Sequence, residues 1–102
     1  INELNGVELI SAEIPETFSL SQNYPNPFNP VTNIKFSIPK TGNVKLAVYD
    51  ITGKEVMILL NGNLSAGTYN TDLDASKLAS GVYFYSLETE EYQNVKKMIL
   101  VK

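Results

Sequence analysis

Three features of this sequence predict an all-β sandwich. Apolar and polar residues alternate over short runs. Gly, Asn and Pro turn signals separate those runs at intervals of roughly 8–12 residues. No stretch carries the 3.6-residue apolar period of an amphipathic helix. At 102 residues the chain is one domain's worth of sequence, enough to bury roughly 65% of its unfolded surface in a single core.

Residues 1–17, "INELNGVELISAEIPET", are acidic and weakly patterned. They read as a linker from a preceding domain, with a short strand at Val7, Leu9 and Ile10 as the alternative. Residues 18–102 form the domain proper. "FSLSQNY" alternates Phe18 and Leu20 against Ser19 and Ser21. The next stretch, "QNYPNPFNP", places Pro25, Pro27 and Pro30 close together. Missing donors and a fixed φ bar it from a central strand, so it should run along an edge or cross between sheets. Tyr24 and Phe28 are expected to anchor that crossing at its two ends.

"NIKFSIP" places Ile34, Phe36 and Ile38 on one face, the pattern of a strand buried on one side. Thr41, Gly42 and Asn43 are expected to turn the chain into "VKLAVYD", with Val44, Leu46 and Val48 inward. "DITG" puts Gly53 where a turn needs a left-handed residue. "EVMILL" is apolar on both faces, as a central or partly covered strand would be. Asn61-Gly62 is the strongest short turn signal in the chain. "GTYNTDLD" alternates again, and Asp74 is placed to cap a single turn before Gly81. "GVYFYSLET" and "YQNVKKMILVK" pair as the last hairpin. The strands number seven, and an antiparallel immunoglobulin-like β-sandwich is the architecture that fits.

Composition excludes several functions. There is no His and no Cys, which removes the usual bases, thiol nucleophiles and transition-metal ligands. The acids are scattered, and no glycine loop or calcium loop is present. Neither an enzyme nor a cofactor is expected. A net charge of −3 argues against nucleic acid or an anionic membrane as partner. The apolar runs "VMILL" and "MILV" are too short to span a bilayer. The chain opens on Ile1 without a signal-peptide pattern, as expected of a segment cut from a larger protein with Lys102 at its carboxyl end. Several of Val95, Met98, Ile99, Leu100 and Val101 should be buried at roughly 1.5–3 kcal/mol each, so loss of the tail should unfold the domain.

Six segments in order, "YPNPFNP", "IKFSIP", "VKLAVYDITGKEV", "LSAGTY", "LASGVYFYSLE" and "KKMILVK", closely resemble the carboxyl-terminal sorting domains of the type IX secretion system. The marks of this resemblance are Tyr24, Pro25, Asn26, Pro27, Phe28, Asn29 and Pro30, then Tyr49, Asp50 and Gly53. It implies a sandwich carried at the end of a folded cargo protein, often a hydrolase. It further implies recognition by an outer-membrane translocon after the cargo reaches the periplasm, and cleavage ahead of the domain by a surface sortase. The cargo would then be released or anchored at the cell surface. The family's "GxY" pattern falls on Gly81 and Tyr83. Its basic-then-apolar ending falls on Lys96, Lys97, Met98, Ile99, Leu100 and Val101. Residues 11–17 are the expected cleavage region.

Each position also has a plain structural reading. Gly81 serves backbone geometry, and Tyr83 and Tyr85 pack in the core with hydroxyls at the rim. Lys96 and Lys97 are a solvated strand end. The competing function is a carbohydrate-binding or adhesive module with Tyr24, Phe28, Tyr49, Tyr83, Tyr85 and Tyr92 as its platform. It requires an exposed row of tyrosines.

Overall fold

The computed structural model describes residues 7–102, which form two four-stranded antiparallel sheets packed face to face. The strands are β1 (Val7–Ser11), β2 (Ser19–Leu20), β3 (Val31–Ile38), β4 (Gly42–Tyr49), β5 (Glu55–Leu64), β6 (Gly67–Asp74), β7 (Gly81–Glu88) and β8 (Gln93–Leu100). Sheet A runs β1-β6-β3-β2 and sheet B runs β5-β4-β7-β8. The all-β sandwich therefore holds, with eight strands rather than seven. The extra one is β1, so residues 7–11 form the short strand and not a plain linker; residues 1–6 lie outside the described residues.

Period-2 patterning decides which side chains enter the core. Ile34, Phe36 and Ile38 of β3 meet Val44, Leu46 and Val48 of β4 across the sandwich interior, with Leu73, Tyr85 and Leu87 from the neighbouring strands. β5 is an edge strand, and its two-sided apolar pattern has a specific cause. Register shifts opposite Leu46/Ala47 and Val48/Tyr49 leave Leu59 and Val56 as extra residues. Each bulge turns an additional apolar side chain toward the core, so Val56, Met57, Leu59 and Leu60 all pack there.

The Asn61-Gly62 turn is not formed. Both residues sit inside β5, opposite Lys45 and Val44. A local dipeptide preference yields here to a ladder that continues to Leu64. The chain instead turns at Ser65-Ala66, where it crosses to sheet A. Two contacts hold that corner: the Tyr69 hydroxyl donates to the Ser65 carbonyl at 2.7 Å, and Thr41 Oγ1 accepts from Ala66 N–H at 3.1 Å. The turn expected at Thr41, Gly42 and Asn43 falls earlier, over residues 39–41, because Gly42 and Asn43 already pair with β5. Asp74 accepts from Ser76 N–H at 2.9 Å and caps one hydrogen-bonded turn, closed by Leu78 N–H to Ala75 carbonyl. None of the described residues is helical, so no helix among them is long and apolar enough to cross a membrane.

Candidate functional site

The proline-rich segment and the carboxyl tail, remote in sequence, meet along one edge of the sandwich. β2 and Tyr24 pair with β3 at the edge of sheet A, and Phe28 then bridges to Leu100 at the edge of sheet B. The segment thus crosses between sheets, one of the two placements its missing donors allow. Its two ends are anchored differently. Tyr24 is held by its backbone, with N–H and carbonyl bonded to Asn33 at 3.0 and 2.9 Å. Its side chain is 81% exposed, so the ring is not the expected anchor. A ring facing outward at a sheet edge has no core to enter. Phe28 is buried, and its N–H and carbonyl bond Ile99 and Val101 at 3.0 and 2.9 Å.

Side chains complete the closure of β8. Asn26 Oδ1 accepts from Ile99 N–H at 3.0 Å, doing what a strand carbonyl would do. Gln22 Nε2 donates to the Lys97 carbonyl at 2.8 Å and to Asn23 Oδ1 at 2.7 Å. At the far end of the segment, the Pro30 carbonyl accepts from Ala75 N–H at 2.9 Å. Exposed Asn29 marks the sequence pattern only.

Beneath the crossing lies a buried polar cluster that periodicity did not reveal. The Tyr85 hydroxyl donates to the Ser21 carbonyl and accepts from Asn23 N–H, both at 2.7 Å. Asn23 Nδ2 donates to Thr32 Oγ1 at 3.0 Å and to the Pro25 carbonyl at 3.1 Å. The Thr32 hydroxyl reaches the same carbonyl at 2.8 Å. Burial pushes the Tyr85 hydroxyl up to about 12, against an opposing effect of the Asn23 N–H bond. Tyr85 is fully buried, which puts its hydroxyl inside and not at the rim. The one sequence signal for the cluster is Thr32, a polar residue in register with the inward face of β3 (Ile34, Phe36 and Ile38).

The motif residues of the tail divide between two faces. Met98 and Leu100 point into the core, which decides the inward face of β8. Lys96 is opposite buried Tyr85 and shares that side, half-buried at the edge; Lys97 is opposite Phe84 on the outer face and exposed. The two lysines therefore do not form one basic patch. Val95, 50% exposed, and half-buried Ile99 flank Lys97 on the outer face. Val101 is exposed and follows the strand. Gly81 pairs with Leu100 and has φ 150°, with open space where a Cβ would stand, so backbone conformation is what favours glycine there. Tyr83 is buried opposite Met98, and its hydroxyl donates to the Ala79 carbonyl at 2.6 Å.

The "YDITG" turn borders the same outer face. Asp50 Oδ1 accepts from Thr52 Oγ1 at 2.6 Å, Thr52 N–H at 2.8 Å and Lys54 N–H at 3.1 Å. These bonds, the Thr52 hydroxyl foremost, hold the carboxyl below its usual value. Gly53 has φ 89°, the left-handed conformation the turn needs. Tyr49, Ile51, Gly53, Phe84, Ser86 and Val95 line a shallow open depression. Asp50, Glu88 and Gln93 complete its lining, so the outer face of sheet B is mixed, with apolar Tyr49, Ile51, Phe84 and Val95 among charged groups and Lys97 beside the depression. The outer face of sheet A carries Asn33, Lys35, Asn70 and Asp72.

The tyrosine platform required by a carbohydrate-binding module does not form. Phe28, Tyr83 and Tyr85 are buried, Tyr92 stacks on Phe18 with ring centroids 4.9 Å apart, half-buried Tyr49 lines the depression on sheet B without a second tyrosine, and Tyr24 stands at another edge.

Comparison with known families agrees with the motifs: residues 22–102 match the family model of the secretion system C-terminal sorting domain. The chain belongs to this family. No curated protein matches it. The sorting domain is a non-catalytic accessory module with the role of a sorting signal in type IX secretion, and membership implies export to the cell surface or extracellular space.

Proposed function

We propose that this domain is the address by which a folded cargo protein, fused ahead of it, is recognised in the periplasm by the outer-membrane translocon of the type IX system. A surface sortase then cuts ahead of the sorting domain, within residues 11–17, and the cargo is released or anchored. The surface read by the translocon is the outer face of sheet B around Lys97, Val95 and the Tyr49–Gly53 turn. One observation carries this assignment. The tail motif is divided by strand alternation, and Met98 and Leu100 are spent on the core. Only Lys97, Ile99 and Val101 of that motif remain for a partner on the outer face and tail, beside the "YDITG" turn. Lys96, Gly81 and Tyr83 act through the fold.

Fusing residues 1–102 behind an inert periplasmic reporter, in a host with type IX machinery, should carry the reporter outside the cell. Retention in the periplasm with a folded domain would overturn the reading. Within that fusion, Lys97→Glu should lower export while thermal stability stays unchanged, and Lys96→Glu should matter less. Undiminished export of the Lys97→Glu fusion removes that residue from the signal.

A further inference from the structure

β1 is an edge strand of sheet A that places a single side chain in the core. It pairs with β6 alone, through Val7↔Thr71, Glu8↔Asn70, Leu9↔Tyr69 and Ser11↔Thr68, with a bulge between Leu9 and Ser11. Val7 is 5% exposed and belongs to the core, whereas Leu9 and Ile10 are nearly half exposed. Residues 12–18 then cross, mostly exposed and without strand structure, to β2 at the opposite edge of sheet A. β1 also lies ahead of the family-matched residues 22–102.

β6 is well ordered by other means. It is registered on β3 from Val31↔Asp74 to Ile38↔Gly67, and Tyr69, Thr71 and Leu73 are buried. Its other edge is a backbone template for a further strand. That edge is shaped for close approach: a Cβ on Gly67 would lie 2.8 Å from the Ser11 carbonyl oxygen and 3.1 Å from Leu9 Cδ1. Any side chain at Gly67 would push the docked strand away.

We propose that this edge of β6 is a strand-accepting site. β1 is its resident occupant, and the site takes in its place an extended antiparallel peptide with a β-branched apolar residue opposite Thr71. Backbone pairing supplies affinity and the alternate side chain supplies selectivity, as in other β-augmentation sites. The short connection through residues 12–18 gives β1 an effective concentration of roughly millimolar. A peptide in trans therefore competes only when β1 is weakened. The site does not depend on the sorting reading.

The test uses the whole chain carrying Val7→Asp, which disables the resident strand, and a fluorescent peptide of residues 5–13, "NGVELISAE". Anisotropy should show the peptide binding this variant at least ~10-fold more tightly than the unaltered chain. The gain should vanish when Gly67→Ala is added. A folded Val7→Asp chain with no gain overturns the proposal. Hydrogen exchange on the unaltered chain tests it without any substitution. Amides of β1 should open locally and exchange at least ~100-fold faster than those of the β3–β6 ladder; equal protection makes β1 a permanent strand and also overturns the proposal.

Discussion

Two edges of this sandwich are closed by opposite devices. On β8 the cover is an irregular, proline-rich segment that bonds only where the edge needs it: Phe28 N–H donates to the Ile99 carbonyl, the Phe28 carbonyl accepts from Val101 N–H, Asn26 Oδ1 accepts from Ile99 N–H, and Gln22 donates to the Lys97 carbonyl. It is locked from below by buried Phe28 and by the Asn23–Tyr85–Thr32 cluster. On β6 the cover is a strand with one bulge, and only Val7 of it reaches the core. Strand pairing by itself is thus a poor guide to how firmly an element is held. Burial and satisfied polar groups decide that.

The difference can be broken from the β8 side first. Removing residues 97–102 takes away Met98 and Leu100 and the partners of Phe28 together, and should abolish cooperative unfolding by circular dichroism. A folded truncation would mean the tail is dispensable to the core. Phe28→Ala should cost about 3–5 kcal/mol in denaturant unfolding, as large aromatic truncations in cores do.

Tyr85→Phe comes next, at roughly 1–3 kcal/mol, because it strands the buried Asn23 N–H and removes the donor to the Ser21 carbonyl. Its pH dependence has a definite sign. The folded hydroxyl titrates at about 12 against an ordinary 10.0, so above pH 10 the unfolded chain loses the proton first. Stability should fall as pH rises from 10 toward 12, by roughly 2–3 kcal/mol from this group. Tyr85→Phe should show that much less alkaline loss in parallel melts.

Val7→Ala, on the β6 side, should have the smallest effect, about 1 kcal/mol in denaturant unfolding. It should raise hydrogen exchange in β1 and along the β1-facing edge of β6, leaving the β8 edge protected. A loss as large as that of Phe28→Ala would erase the contrast between the two edges.

Much of the fold was legible because alternation is a local property. Ile34, Phe36 and Ile38, or Val44, Leu46 and Val48, declare a buried face in any register. Where the reading failed, a non-local pairing overrode a local preference. Asn61-Gly62 is a strong hairpin dipeptide, yet both residues are held in β5 by Lys45 and Val44. Tyr24 looked like an anchor because aromatics usually pack, but its position past the end of β2 faces solvent. The tail, apolar on both parities, left its inward face open until pairing with β7 put Met98 beside Tyr83 and Leu100 beside Gly81.

By itself the sequence determined an all-β sandwich, the proline segment as an edge or crossing rather than a central strand, and the family through motifs that stand in order along the chain. Each of these depends on residue type and short-range spacing. Only the tertiary structure decided that Lys96 and Lys97 serve different faces and that "YDITG" and the tail border one surface. It also decided that Asn23, Thr32 and Tyr85 share a buried hydrogen-bond cluster. Those relations join residues tens of positions apart, and the strand register that unites them arises only when the two sheets close on a common core.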